Sequence, residues 1–141
     1  MKLTFQQARN KDFVEQLTWR NMEPYYKELG ISWDQAVFDK NWNDFENYEI
    51  VINDSVVGVL RLSHDKSAYY IRDLQVDPDW QHQGLGSQAL RYTANLAQKS
   101  GFKLLRLRVF SENPAVGLYK RMGFRISKTE SGTHYMEREL S

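Results

Sequence analysis

The chain has no cysteine in its 141 residues, so disulfides, thiol nucleophiles and cysteine-bound metals are excluded. Histidine offers no metal site either. The three present lack H-x-x-x-H spacing and are not clustered with carboxylates. No charge of one sign dominates: the formal net charge is +1, with acidic and basic residues mixed along the chain, whereas a nucleic-acid binder usually shows a basic excess on one face. There is no apolar run of membrane-spanning length, and the start, Met1-Lys2-Leu3-Thr4-Phe5-Gln6, has no signal-peptide core. Repeats, low-complexity segments and linkers are missing as well. These absences predict a soluble, cytoplasmic protein with neither nucleic-acid nor membrane partners. What remains is an ordinary globular composition, 41% hydrophobic and 26% charged, over a length that one domain, residues 1–141, fills with a single core.

Hydrophobic periodicity sorts the chain into elements. Residues 3–8 alternate weakly, as an edge strand does. Over residues 12–29, Phe13, Leu17, Trp19 and Met22 sit near helical spacing, with Asp12 as N-cap; Pro24 is expected to end or kink this helix. Ser32 is placed as N-cap of a second helix, whose apolar side carries Val37, Phe38 and Trp42. Residues 48–52 and 56–62 read as strands joined by a turn at Asn53-Asp54-Ser55. Residues 69–76 form the next strand, stopped by Pro78. Residues 85–99 make the clearest helix, with Gly101 as its C-terminal signal. Residues 104–110 alternate again. Asn113 as N-cap and Pro114 as first helical residue open a short helix that ends at Gly123. Residues 124–128 and 133–140 close the chain as an antiparallel pair. The order β-α-α-β-β-β-α-β-α-β-β specifies an α/β protein, with a meander and a strand–helix–strand crossover in one mixed sheet and helices on its faces.

The most informative stretch is Val76-Asp77-Pro78-Asp79-Trp80-Gln81-His82-Gln83-Gly84-Leu85-Gly86-Ser87. It joins a strand end to a helix start, where N–H donors are unpaired and the helix dipole is positive. Glycines there let the backbone close around an anion with no Cβ in the way. That combination is a phosphate cradle. Gly84, Gly86 and Ala89 also match G-x-G-x-x-A, but seven residues separate Val76 from Gly84. Leu104-Leu105-Arg106-Leu107-Arg108, about 20 residues on, offers no carboxylate for a ribose, so a dinucleotide is disfavoured. No G-x-x-x-x-G-K-[ST] occurs, which excludes a P-loop.

Gln81-x-x-Gly84-x-Gly86, preceded by Leu74-Gln75-Val76-Asp77-Pro78, resembles the signature of the GNAT superfamily of acyl-CoA-dependent N-acetyltransferases. Downstream, Asn113-Pro114-Ala115-Val116-Gly117-Leu118-Tyr119-Lys120-Arg121-Met122-Gly123-Phe124 resembles the superfamily's second pattern: an Asn, a short helix carrying a Tyr, then Gly-Phe. Two motifs in the right order and separation, on a matching order of elements, make the resemblance specific. It implies a mixed, mostly antiparallel central sheet flanked by helices. It also implies transfer of an acetyl group from acetyl-CoA, a cosubstrate, to a primary amine, with no metal. Residue by residue, the strand through Leu74, Gln75 and Val76 would splay from its neighbour and pair by its backbone with the pantetheine arm and acetyl carbonyl. Gln81, His82, Gln83, Gly84, Leu85, Gly86 and Ser87 would hold the pyrophosphate through main-chain N–H groups. Asn113 would hydrogen-bond the pantetheine arm, and Tyr119 would contact the coenzyme and act as general acid to the departing thiolate. Dimerisation is common in the family, so a homodimer is an open option.

The chemistry agrees with these assignments. An amine attacking a thioester carbonyl builds negative charge on oxygen and then on sulfur, and preorganised backbone donors lower that barrier. A phenol of pKa about 10 can protonate the thiolate. Without cysteine to carry a covalent acyl group, direct attack in a ternary complex is expected. The general base is where this sequence departs from the family: Tyr70 and Arg72 stand where a Glu or His is usual, and neither is a base at neutral pH. Asp73 and Glu49 are substitutes, with strand alternation turning Asp73 to the face opposite Arg72. A water chain or an already neutral amine would also serve. His82 is expected to meet phosphate, and His64 and His134 to be structural. The acceptor, a small molecule or a protein amine, is expected between the first two helices, the hairpin and the strand around Tyr70. Tyr25 and Tyr26 suit a pocket-lining loop, and Arg72 or Arg61 a carboxylate on the acceptor. Tyr26, Tyr70 and Arg72 are thus the candidate acceptor residues. The alternative is a regulatory module that binds coenzyme A in the same fold without turnover.

Overall fold

Strand Leu3–Gln7 (β1) opens the fold. The computed structural model describes residues 2–141; Met1, where the expected domain begins, lies outside the described residues. Helix Lys11–Leu29 (α1) is capped by Asn10, whose side chain accepts from the Phe13 N–H at 3.0 Å. Asp12, expected as the cap, sits inside the first turn, where its charge favours the helix dipole. Pro24 does not end α1. The ring removes one bond from the ladder, but Tyr25 and Tyr26 just beyond it are held by ring contacts to Phe110 at 6.0 and 5.9 Å. Gly30, at φ 69°, then closes the helix, with the Ile31 N–H bonded back to the Tyr26 carbonyl at 2.8 Å. Both tyrosines therefore lie on a helix and not on a loop. Helix Gln35–Asp44 (α2) is capped by Asp34 rather than Ser32, through a 3.1 Å bond from the Val37 N–H.

The meander is Glu46–Ile52 (β2), Ser55–His64 (β3) and Tyr69–Val76 (β4). Asn53 and Asp54 both take positive φ, as a two-residue hairpin with the twist of its strands requires. A 3-10 turn, Pro78–Trp80, leads to helix Leu85–Lys99 (α3), then strand Leu104–Phe110 (β5), helix Ala115–Arg121 (α4) and strands Arg125–Glu130 (β6) and Thr133–Glu139 (β7). Pro114, expected as the first residue of α4, stands at its cap position in place of Asn113, whose side chain still accepts from the Ala115 N–H at 2.9 Å just ahead of the helix. Among the described residues one seven-stranded sheet runs β1-β2-β3-β4-β5-β7-β6. Only β4 and β5 pair in parallel, as a strand–helix–strand crossover demands.

Alternation along β3 sends neighbouring residues to opposite faces. Leu60 and Leu62 join Ile71, Leu105, Met136 and the apolar side of α3 in the larger core. Val59 points the other way, to Val14, Leu17 and Phe38 of α1 and α2. Each fully buried Leu or Ile removes enough apolar surface to stabilise the fold by about 1.5–3 kcal/mol.

In β4 the alternation breaks. Between β3 and β4 the register passes from Arg61↔Asp73 to Leu62↔Ile71, so Arg72 is an extra residue in a β-bulge. Arg72 Nε donates to Ser63 Oγ at 2.7 Å, and Arg61, two residues before Ser63, approaches Asp73 at 3.6 Å. Arg72 and Asp73 thus share a face. The opposite faces expected from simple alternation are overturned by the bulge.

Candidate active site

β4 and β5 are paired only at Tyr69↔Leu105, Tyr70↔Arg106 and Ile71↔Leu107. Beyond that rung they part: residues 72–76 keep only β3 as a strand neighbour, and residues 108–110 only β7. Backbone polar groups along the parted edge must find other partners. The Val76 carbonyl has two already, the side-chain amides of Asn21 and Gln81, each at 3.1 Å. Leu74 points to the α3 side with the larger core, and Gln75 is buried on the α1 side, where its amide donates to Asp73 at 2.6 Å.

The chain then turns through exposed Gln81, His82 and Gln83 into α3. His82 and Gly84 take positive φ, 64° and 82°. Gly84 precedes the first turn of α3, which has no side-chain cap, so the N–H groups of Leu85, Gly86 and Ser87 face outward unclaimed by the helix. A Cβ on Gly84 would meet no protein atom within 4 Å, whereas one on Gly86 would lie 2.7 Å from Leu118 Cδ2 of α4. The two glycines therefore act differently: Gly84 shapes the turn beside open space, and Gly86 lets α4 approach α3. Gly86→Val is expected to overpack this contact and lower unfolding free energy by about 1–3 kcal/mol. Urea unfolding measures it, and an unchanged midpoint would mean that Leu118 swings aside at no cost.

One residue beyond Leu118, the Tyr119 ring is buried and meets Phe124 edge-on at 5.9 Å. Burial, and then the charge of Asp73, push its hydroxyl well above the usual phenol range. The same two causes raise Tyr26 on α1. Asp73 accepts from Gln75 and from Thr18 Oγ1, at 2.6 and 3.2 Å, and faces Arg61. Burial raises the Asp73 carboxyl, opposed by the Arg61 charge. Arg61, only 4% exposed, lies between the rings of Phe38 and Phe45 at 4.9 and 5.1 Å and donates from Nε to Asn47 at 2.9 Å. Its Nη2 is the one sealed side-chain polar atom among the described residues with no partner.

Glu49, the other carboxylate considered as base, lies on β2, separated from β4 by β3. It accepts from Gln6 and from the Arg9 N–H, both at 3.0 Å, and so fastens β1 and the start of α1. It is not at the parting. His64 packs at a tilt against Tyr69 and Phe102, and His134 meets Thr129. Tyr70 and Arg72 line a cavity of about 620 Å³ with Arg106, Arg108, Tyr135 and Glu137. It lies on the sheet face opposite α3, since Leu105, Leu107 and Met136 between these residues point into the larger core. Tyr26 does not line it, but meets Trp19, Trp33 and Phe110 at 5.8, 6.1 and 5.9 Å.

Residues 12–124 match the sequence model of the Acetyltransferase (GNAT) family, most of the chain and both motifs included. The chain belongs to the acetyltransferase (GNAT) family. It is similar to the thialysine N-epsilon-acetyltransferase of Sus scrofa, 36% identical over 66 residues, which are 46% of this chain and 39% of the pig protein. It is also similar to the [ribosomal protein bS18]-alanine N-acetyltransferase of Escherichia coli K12, 28% identical over 96 residues, 65% of this chain and 64% of that protein. The alignments thus span less than two thirds of either relative. The fold is that of an acetyltransferase from Bacillus subtilis solved in complex with CoA, with a TM-score of 0.80 at 19% identity over 99% of this chain and 100% of the other.

Within this GNAT chain, sequence reasoning missed several residues at the parting. Thr18 and Asn21 reach it from α1, and Arg106, Arg108 and Tyr135 from β5 and β7. Those on β5 and β7 were visible as the polar positions of alternating strands. What alternation cannot supply is which neighbouring strand they face.

Proposed function

We propose that this chain moves an acetyl group from acetyl-CoA to a primary amine by direct attack in a ternary complex. One juxtaposition carries the reading: an unpaired β4 edge runs into an uncapped α3 N-terminus, and α4 presents Tyr119 beside them. The residues fit the coenzyme. Open space beside Gly84 and the free N–H groups of Leu85, Gly86 and Ser87 suit a pyrophosphate. The backbone of Leu74 and Gln75 and the side chain of Asn113 would hold the pantetheine arm. When bound, acetyl-CoA supplies an acetyl group on a thioester. The acceptor nitrogen forms the new C–N bond as the C–S bond breaks. Tyr119, kept protonated by its burial, gives its proton to sulfur. The CoA-bound Bacillus subtilis structure and the names of the pig and Escherichia coli relatives support the same reading.

The amine must also lose a proton. The cavity's one lining carboxylate, Glu137, is occupied by Arg106 and Arg125 at 3.3 and 3.7 Å. Asp73 already accepts from two side chains. The acceptor therefore reacts as the free amine, its proton leaving to solvent through the open cavity. Activity is expected to rise about tenfold per pH unit from pH 7 toward the amine's own pKa, near 10.4 for an alkyl amine. A plateau near pH 6.5 in kcat/KM against pH would instead reveal a protein base.

A thermal-shift titration with acetyl-CoA, CoA and NAD tests the coenzyme. A native-state ligand adds about 2.7 kcal/mol at a hundredfold excess over Kd. Stabilisation by acetyl-CoA and CoA alone is the expected result. No shift from either would refute the reading, and a shift without amine-dependent thiol release would favour a non-catalytic coenzyme-A module.

A further inference from the structure

Two cations lining the 620 Å³ cavity, Arg72 and Arg108, have no ion-pair partner among the described residues. Arg72 projects from the bulge in β4, and Arg108 from β5 just past the last paired rung, Ile71↔Leu107. Among the described residues neither makes an ion pair, while their neighbours do: Arg106 with Glu137 at 3.3 Å and Lys128 with Glu130 at 3.2 Å. Asp65, whose charge acts on Arg72 without forming an ion pair with it, is engaged by the Tyr70 hydroxyl at 2.7 Å and by the Ser67 N–H at 2.8 Å. Burial, and then the Arg108 charge, lower the Arg72 pKa, so the two guanidinium groups repel. Holding like charges together is unfavourable, and an anion between them would reverse the sign.

The surroundings also orient them. The Arg72 guanidinium lies 4.4 Å over the Tyr70 ring and is tethered through Nε to Ser63, while Arg108 lies 5.8 Å over the Tyr135 ring. Stacking fixes the plane of each group and leaves N–H edges for the two oxygens of a carboxylate. A cavity of this volume holds a small ligand or the first residues of a peptide. It flanks the parting of β4 and β5, on the sheet face away from α3.

We infer that the acceptor is an amine that also carries a carboxylate, held between Arg72 and Arg108 while its nitrogen reaches the parting of the strands. This inference rests on the transferase reading. The step balances without further reactants: the nitrogen lone pair forms the amide C–N bond, the C–S bond breaks, the thiolate takes a proton from Tyr119, and the proton that the amine gives to solvent is matched by the one Tyr119 takes back from it. The carboxylate has two sources, a small amino acid or an acidic residue beside a peptide's terminal amine.

Matched acceptors test it. One arm compares 4- to 6-carbon ω-amino acids with their amides and with diamines of the same length; the other compares the peptides Ala-Glu-Ala-amide, Ala-Gln-Ala-amide and Ala-Lys-Ala-amide. Thiol release is read with a disulfide reagent, against which a cysteine-free chain gives no background. The carboxylate member of at least one arm is expected to exceed its amide at least tenfold in kcat/KM, the responding arm naming the source. Arg108→Glu should abolish or invert that ratio, and Arg108→Lys, which keeps the charge but loses the stacked two-pronged edge, should keep only part of it, with acetyl-CoA thermal shifts retained in both. Equal or better use of amides or diamines, no turnover in either arm, or an unchanged ratio in Arg108→Glu overturns the inference. If acetyl-CoA still stabilises the protein in that case, the coenzyme part of the transferase reading stands; if it does not, that reading has failed first.

Discussion

Replacing Tyr119 with phenylalanine is expected to lower kcat at least a hundredfold while leaving acetyl-CoA binding intact, because a positioned general acid contributes about 10²–10⁴-fold. The substitution removes one oxygen and leaves the buried ring on Phe124. The hydroxyl is not a sealed polar atom, and no hydrogen bond contributes to its shift, so its loss strands no protein partner. Stability should therefore change by no more than about 0.5 kcal/mol. Burial and the Asp73 charge both raise the phenol, so wild-type activity should not fall through deprotonation of Tyr119 as pH rises to 9. Steady-state kinetics with thiol detection and a parallel thermal-shift titration read both halves. Unchanged kcat would remove Tyr119 from proton transfer, and a lost thermal shift would make it a binding residue instead.

The second large effect is on stability. Arg61→Met keeps an apolar stem between Phe38 and Phe45 but removes the charge facing Asp73. Taking one partner from a buried pair leaves the other uncompensated, at a cost of about 3–5 kcal/mol. Burial already raises Asp73 above its ordinary 3.8, opposed by Arg61. Without Arg61 the folded-state pKa rises further. A carboxyl raised on folding favours the native state below its unfolded pKa, and that contribution is lost as pH rises through its folded pKa. The deficit of the variant should thus be largest near pH 7 and shrink as pH falls toward 4. Urea unfolding at pH 7 and pH 5 measures it. The same deficit at both would show that ring packing, and not charge, is what the arginine supplies.

The element order, the bounds of β4, α3 and β5, and the two motifs were legible because each rests on local chemistry. Alternation over Leu104–Phe110, helical spacing over Leu85–Lys99 and the glycines at 84 and 86 act within a few residues of chain. Misplaced caps had the same local basis: Asn10 and Asp34 compete with Asp12 and Ser32 for one position, and residue type does not rank them. The passage of α1 through Pro24 was hidden because the contacts that hold it come from Phe110, on a strand far along the chain.

What folding alone decided lies between strands. One extra residue in β4 turns Arg72 onto the face of Asp73, and no periodicity within β4 announces it, since a bulge is defined only against the register of a partner. The parting of β4 from β5, the burial of Arg61 against Asp73 and the meeting of Arg72 with Arg108 likewise join residues separated by a helix or a hairpin. The sequence therefore determined which groups this protein can bring to an acetyl transfer. The tertiary structure decided which of them face one another, because cross-strand neighbours are set by register and long-range packing and not by spacing along the chain.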